Sequence, residues 1–220
     1  MKSNKFNFEL VEDFDKHIKL SIPNFEGIDN IFGCINKEYA QPESIVLDLG
    51  CSTGRYLNSL EKINEVTYIG CDTINFKNRK AHFDFVNLDI EEALHNYKDE
   101  NVSVIICMFT LQFLGLTKRN RVLKLLKDFI DNGTTLLISE KTYLSHIKIQ
   151  TLLHRLHIQD KRKYFTDKEI LDKDNQLSVS MFCKTEKELE IELQELGYAT
   201  KVWQSYNFMG YCVQKYGLIL

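Results

Sequence analysis

Apolar residues in this chain gather in short unbroken runs instead of alternating with polar ones. Positions 44–50 (SIVLDLG), 66–71 (VTYIGC), 83–86, 102–108 and 134–138 each read as a strand, because each is short, β-branched and closed by glycine or polar residues. Unbroken apolarity implies a sheet buried on both faces, hence parallel and covered by helices. Two later segments, 199–206 and 210–215, have the look of a hairpin. Helical spacing appears at 28–39, at 53–62 and at 121–131 (VLKLLKDFI). Thr185 and Glu188 have capping-box spacing ahead of a helix that Gly197 ends. This alternation predicts an α/β, doubly wound fold.

Positions 144–170 break the alternation. Ile147, Ile149, Leu152, Leu153, Leu156 and Ile158 predict one long helix, followed by KRKYFTDKE. The expected organisation is a single domain over 1–220, with an N-terminal helical cap at about 1–40 and a helical lid insert at about 142–182. An insert after the fifth strand lies above the carboxyl ends of the strands, where open α/β sheets bind ligands.

Composition narrows the function. Lys+Arg 28 against Asp+Glu 31 gives a net charge of −3, which weighs against a broad nucleic-acid surface. The six cysteines form no C-x-x-C pair, so no metal is expected and the thiols read mostly as small core residues. The first residues, MKSNKFNFEL, contain no long apolar stretch, and no run approaches a membrane span. A cytoplasmic protein with no membrane partner is expected.

The sharpest local signal is Val46-Leu47-Asp48-Leu49-Gly50-Cys51-Ser52-Thr53-Gly54. A strand ends at Leu49 and small residues turn the chain into a helix. Gly50 permits backbone angles barred to other residues and a close ligand approach. Asp72 ends the second strand, where an acid takes ribose hydroxyls. Asp89 follows the third, placed to reach an adenine amino group. With no G-x-x-x-x-G-K-[ST] present, three acids at strand ends would repel phosphates. They suit a cationic, phosphate-free nucleoside such as S-adenosylmethionine (SAM).

These strings, together with Phe14-Asp15, Ser21-Ile22-Pro23, Phe109-Thr110-Leu111-Gln112-Phe113-Leu114, Ser139-Glu140-Lys141, Trp203-Gln204 and Asn207-Phe208, resemble the class I SAM-dependent methyltransferases, and within them the carboxy-SAM synthases. The resemblance covers nearly the whole chain. It implies a Rossmann-like, mostly parallel seven-stranded sheet with a late antiparallel strand. It implies SAM or S-adenosylhomocysteine contacts at Phe25, Asp48, Gly50, Cys51, Ser52, Gly54, Asp72, Thr73, Asp89, Ile90 and Met108. It also implies a homodimer, and prephenate as carboxyl donor if carboxy-SAM is the product.

The chain departs from that family where the added carboxylate would be gripped. Phe25 replaces a tyrosine and Met108 an asparagine, and Asp174 falls where the family has an arginine. Replacing a bidentate receptor by an acid turns attraction into repulsion, and the neighbouring Lys173 is a poor geometric substitute. The loop 73–80 is also short. The expectation is therefore methyl transfer from SAM to a small-molecule acceptor. Carboxy-SAM synthesis for tRNA wobble-uridine modification is the alternative, and a catalytically silent SAM-binding partner subunit a third reading.

Three further groups have two readings each. His154 and His157 are a base or metal pair, or the polar stripe of a helix. Lys161-Arg162-Lys163-Tyr164-Phe165 is an RNA or anion contact, or a solvated helix end; it keeps tRNA open as a partner. Glu140 and Lys141 are an acid and base, or a buried ion pair fixing a strand end.

Overall fold

The computed structural model describes residues 13–76, 79 and 82–216. The N-terminal residues 1–12 of the expected cap, and 77, 78 and 80 of the short loop, lie outside the described residues. The elements run α1 (Phe14–Ser21), α2 (Phe25–Tyr39), β1 (Ser44–Leu49), α3 (Arg55–Ser59), β2 (Val66–Cys71), β3 (Asp84–Val86), α4 (Ile90–Tyr97), β4 (Val102–Met108), a 3-10 turn (Leu111–Phe113) and α5 (Leu116–Asp131). Then follow β5 (Thr135–Tyr143), α6 (Ile147–Lys161), α7 (Asp167–Ser178), β6 (Lys184–Thr185), α8 (Glu186–Leu196), β7 (Tyr198–Ser205) and β8 (Phe208–Gln214).

The sheet order is β3-β2-β1-β4-β5-β8-β7, with β6 paired to β5 off this path. β3, β2, β1, β4 and β5 are parallel; β8 runs antiparallel between β5 and β7. Among the described residues there are thus eight strands where seven were expected. The added one, β6, has two residues, too few to carry an apolar pattern. The strand order reverses at β1, which pairs β2 on one side and β4 on the other. That crevice is where a doubly wound sheet binds its ligand.

Both faces of the sheet are buried, which explains the unbroken apolar runs. Leu47 and Leu49 of β1 face a core completed by Ala93 and Leu94 of α4, Val122 and Leu126 of α5, and Leu189 and Leu193 of α8. Val46, one residue out of step, faces the other core with Ile28 and Phe32 of α2 and Leu57 of α3. Successive strand residues point to opposite faces, so every position of β1 must be apolar or specially accommodated.

Several boundaries differ from expectation. β5 continues past Ile138 through Ser-Glu-Lys to Tyr143, because β8 and β6 pair with the polar continuation. The expected long helix is α6, which ends at Lys161 with Arg162 as its cap; a second helix, α7, follows it, opened by Thr166 with a capping box to Glu169. That box has the same spacing as the one at Thr185–Glu188, which starts α8 as expected. Helix α4 passed unnoticed beside Asp89, which caps it together with Glu92. Cys34 is exposed on the solvent side of α2, not in the core, since Ile28 and Phe32 take the packed face.

Candidate active site

The turn after β1 is fixed by its backbone. Gly50 has φ 82°, and a Cβ there would lie 2.5 Å from Thr110 Cγ2, so only glycine fits. The amides of Gly50 and Cys51 donate to the Cys71 carbonyl at 2.8 and 2.9 Å, tying the turn to the end of β2. The next amide, Ser52, donates to Asp72 Oδ2 at 2.9 Å, and Ile74 N–H donates to Oδ1 at 2.8 Å. Burial raises the Asp72 carboxyl above its usual range, while the amides of Ile74 and Ser52 work the other way. A carboxylate has about four lone-pair sites, so two amides leave room for two hydroxyls.

Asp89 does two jobs. Its Oδ1 accepts from the amides of Glu91 and Glu92 at 2.8 and 3.2 Å, capping α4, and its Oδ2 lies 3.2 Å from Lys118 Nζ. Burial opposes its charge, but the Glu92 amide and Lys118 outweigh that and hold the carboxyl below its usual range.

A cavity of about 440 Å³ opens over these strand ends, within the size range of small-ligand sites. Gly50, Ser52, Asp72, Thr73, Asp89, Ile90 and Met108 line it. Four other expected contact residues do not, each for a packing reason. Asp48 is buried in β1 beneath the cavity; burial and then the charge of Asp72 push its carboxyl up to about 7, with Arg55 opposing. Cys51 packs its thiol against Gly70. Gly54 has φ 77° and meets the Phe83 ring, which a Cβ would strike at 2.1 Å. Phe25 lies under the Arg55 guanidinium, 4.6 Å from its ring centre, with its ring 6.2 Å from that of Phe109.

The opposite side of the cavity is basic. Lys141 of β5, Lys161 of α6 and Lys173 of α7 line it, together with His17, His157, Asp174 and Phe208. Asp174 does not stand alone there, since its Oδ1 lies 3.6 Å from Lys161 Nζ. The repulsion expected of an acid at this position is therefore offset by a cation from the neighbouring helix. Lys173 donates to Ser21 Oγ at 2.9 Å and lies 2.5 Å from His17 Nε2. Burial, then Lys161, pushes its amine down to about 7, with Asp174 opposing. His17 is pushed down to about 4 by burial and by Lys173.

The two-reading groups divide. His157 is buried, its Nε2 2.8 Å from the Ser21 carbonyl, while His154 points to solvent, so they form neither a pair nor a stripe. Among the described residues, no group of three or more His, Cys, Asp or Glu is assembled for a metal. In the KRKYF run, Lys161 turns into the cavity, whereas Arg162 and Lys163 pair on the surface with Asp167 and Asp160. Ser-Glu-Lys splits by strand alternation. Glu140 is fully buried and pairs with Arg119 at 2.9 Å; Arg119 also holds Glu192 at 2.6 Å, and Lys184 reaches Glu192 as well. Lys141 faces the cavity instead, its amide donating to Gln112 Oε1 at 2.8 Å. Sequence reasoning missed Gln112, Lys118 and His17, and rated Lys161 and Lys173 as secondary. The capping box at Thr166 was the signal that α7 folds back and brings Lys173 to the same cavity as Lys161.

Comparison with known proteins defines the class first. Residues 46–133 match the methyltransferase domain family. The fold is shared with a 1,6-didemethyltoxoflavin N1-methyltransferase from Burkholderia thailandensis (12% identity, TM-score 0.53, covering 86% of this chain and 77% of that one). It is shared too with human N-acetylserotonin methyltransferase (13%, TM-score 0.53, 87% and 52%). The chain thus has the fold of the class I SAM-dependent methyltransferases. More narrowly, it is similar to the carboxy-S-adenosyl-L-methionine synthase of Shewanella piezotolerans, 29% identical over 219 residues, 93% of this chain and 89% of that protein. The synthase of Cronobacter sakazakii is 28% identical over 218 residues, 92% and 87%.

Proposed function

We propose that the chain binds SAM at the acidic side of the cavity and transfers its methyl group to a small molecule held on the lysine-lined side. The observation that carries this reading is the convergence of Gly50, Ser52, Asp72 and Asp89, from the ends of three successive strands, on one cavity whose far side holds Lys141, Lys161 and Lys173. The residues present fit the cofactor: the lining acids favour a cation, and Asp72 keeps accepting capacity beyond its two amide bonds. When bound, SAM supplies an electrophilic methyl on a sulfonium. Asp72 would accept from its ribose hydroxyls and Asp89 from its adenine amine, while Ile90 and Met108 would give apolar walls that exclude water. Methyl transfer asks chiefly for in-line placement, which these rigid strand ends provide.

Carboxy-SAM synthesis is the second reading, favoured by similarity along almost the whole chain and by lysines where a carboxylate would sit. Incubating the protein with SAM and prephenate and weighing the nucleoside separates the two. A product heavier by one CO2 establishes the synthase and overturns methyl transfer; S-adenosylhomocysteine with a methylated small molecule supports it. S-adenosylhomocysteine with methylated tRNA would move the acceptor to RNA. SAM binding by calorimetry without turnover against any of these identifies the silent subunit. Light scattering at about twice 25.8 kDa would support the homodimer. The cytoplasm is the compartment this reading assumes; among the described residues no helix is long and apolar enough to cross a membrane.

A further inference from the structure

Lys173 stands apart from an ordinary surface lysine. Its side chain lines the cavity, and its amine is clamped to α1 by Ser21 Oγ at 2.9 Å and His17 Nε2 at 2.5 Å. Among the described residues, the charged and titratable groups that act on it come from four elements: Lys161 from α6, Lys141 from β5, Asp174 from α7 and His17 from α1. Burial and two lysines against one acid push the amine down to about 7. An ordinary lysine, with a pKa near 10.4, is almost wholly ammonium at neutral pH. A lysine desolvated beside other cations is the arrangement that makes an amine nucleophilic toward carbonyl carbon.

We propose that Lys173 is an imine-forming nucleophile for a small carbonyl compound that carries a carboxylate, held in place by the charges of Lys141 and Lys161. The Nζ lone pair adds to the carbonyl carbon and a proton moves to the oxygen. The carbinolamine then loses one water, leaving a carbon–nitrogen double bond to Nζ. No oxidant or reductant is consumed. His17, in hydrogen-bond contact with Nζ, passes the proton between nitrogen and the departing hydroxyl. This chemistry uses none of the acids of the nucleoside side, so it stands or falls separately from SAM binding.

The test uses the full chain with pyruvate and cyanoborohydride, read by intact mass and peptide mapping. A single reduced adduct at Lys173 is expected, its rate rising with pH and half-maximal near 7. Lys173→Arg should remove it. Lys161→Met should slow trapping at pH 7 several-fold, because removing the stronger of the two opposing lysines lifts the pKa of the amine. No adduct, or label spread evenly over surface lysines, overturns the proposal, as does an adduct that survives in Lys173→Arg. If Lys173→Arg fails to fold, the peptide map of the unaltered chain decides by itself.

Discussion

The two sides of the cavity are built on different principles. The acidic side stands on the ends of β1, β2 and β3, where a positive-φ glycine with no room for a Cβ, two amide bonds to the Cys71 carbonyl and two to the Asp72 carboxylate fix the turn. The basic side hangs on α1, α6 and α7, joined by a few side-chain bonds such as Lys173–Ser21 and His157–Ser21. Those helices also expose Ile147, Leu152 and Leu171. Strand ends are held by a ladder that continues through the core, whereas a helix packed by one edge is held only by its contacts. The acidic side is therefore rigid in the way a chemical step requires, and the basic side is the adaptable one.

The strongest way to break this contrast is to loosen β5, the strand that carries Lys141 into the cavity. Arg119→Met leaves Glu140 buried without its cation, and removing one partner of such a pair costs about 3–5 kcal/mol. Urea unfolding should show that loss; a change below about 1 kcal/mol would mean the cluster does not hold β5. On the acidic side alone, Asp72→Ala should weaken SAM binding at least a hundredfold by calorimetry. Unchanged affinity would remove Asp72 from the site. Gly50→Ala should cost about 1–3 kcal/mol from backbone strain, before any effect of the clash with Thr110.

The two sides should also respond to pH with opposite signs. Asp48 holds its proton in the fold up to about 7, but in the unfolded chain only to the ordinary aspartate value of 3.8. Between these values the folded state binds more protons, so its contribution to stability falls as pH rises. Lys173 loses its proton near 7 in the fold and near 10.5 when unfolded, so between those values stability rises with pH. His17 and His157, both pushed down to about 4, act against Asp48 between 4 and 6.5. The variant difference is therefore the clean reading: melting curves of Asp48→Asn against the unaltered chain should diverge from pH 4 to 7 and run parallel above 8. The smallest effect is expected from Thr166→Ala, which removes a helix cap worth about 1 kcal/mol. It should loosen α7 in hydrogen exchange and leave SAM affinity within about twofold.

Much of the fold was legible because its signals are local. Unbroken apolar runs disclosed β1 to β4 to within a residue, and β2 and β4 have the expected bounds; β5 ran five residues past its apolar run. The capping box at Thr185 and the terminal Gly197 bounded α8. The turn at Gly50 and the acids at Asp72 and Asp89 were legible too, since a strand end, a glycine and an acid are neighbours in sequence. Helix α4 and the break between α6 and α7 were marked by equally local caps, at Asp89 and Thr166, that were read for chemistry or passed over.

The amino-acid sequence by itself determined the doubly wound sheet, the place of its crevice and the acids at the strand ends, because these follow from residue patterns within a few positions of one another. Only the tertiary structure decided that Asp48, Cys51, Gly54 and Phe25 serve packing away from the cavity, through contacts with Arg55, Gly70, Phe83 and Phe109. It alone decided that Lys141, Lys161 and Lys173 share one cavity with His17. Those four side chains come from four separate elements, and the state of the Lys173 amine depends on the charge and burial that the others impose. No local pattern encodes that, because electrostatic environment is a property of where distant segments meet.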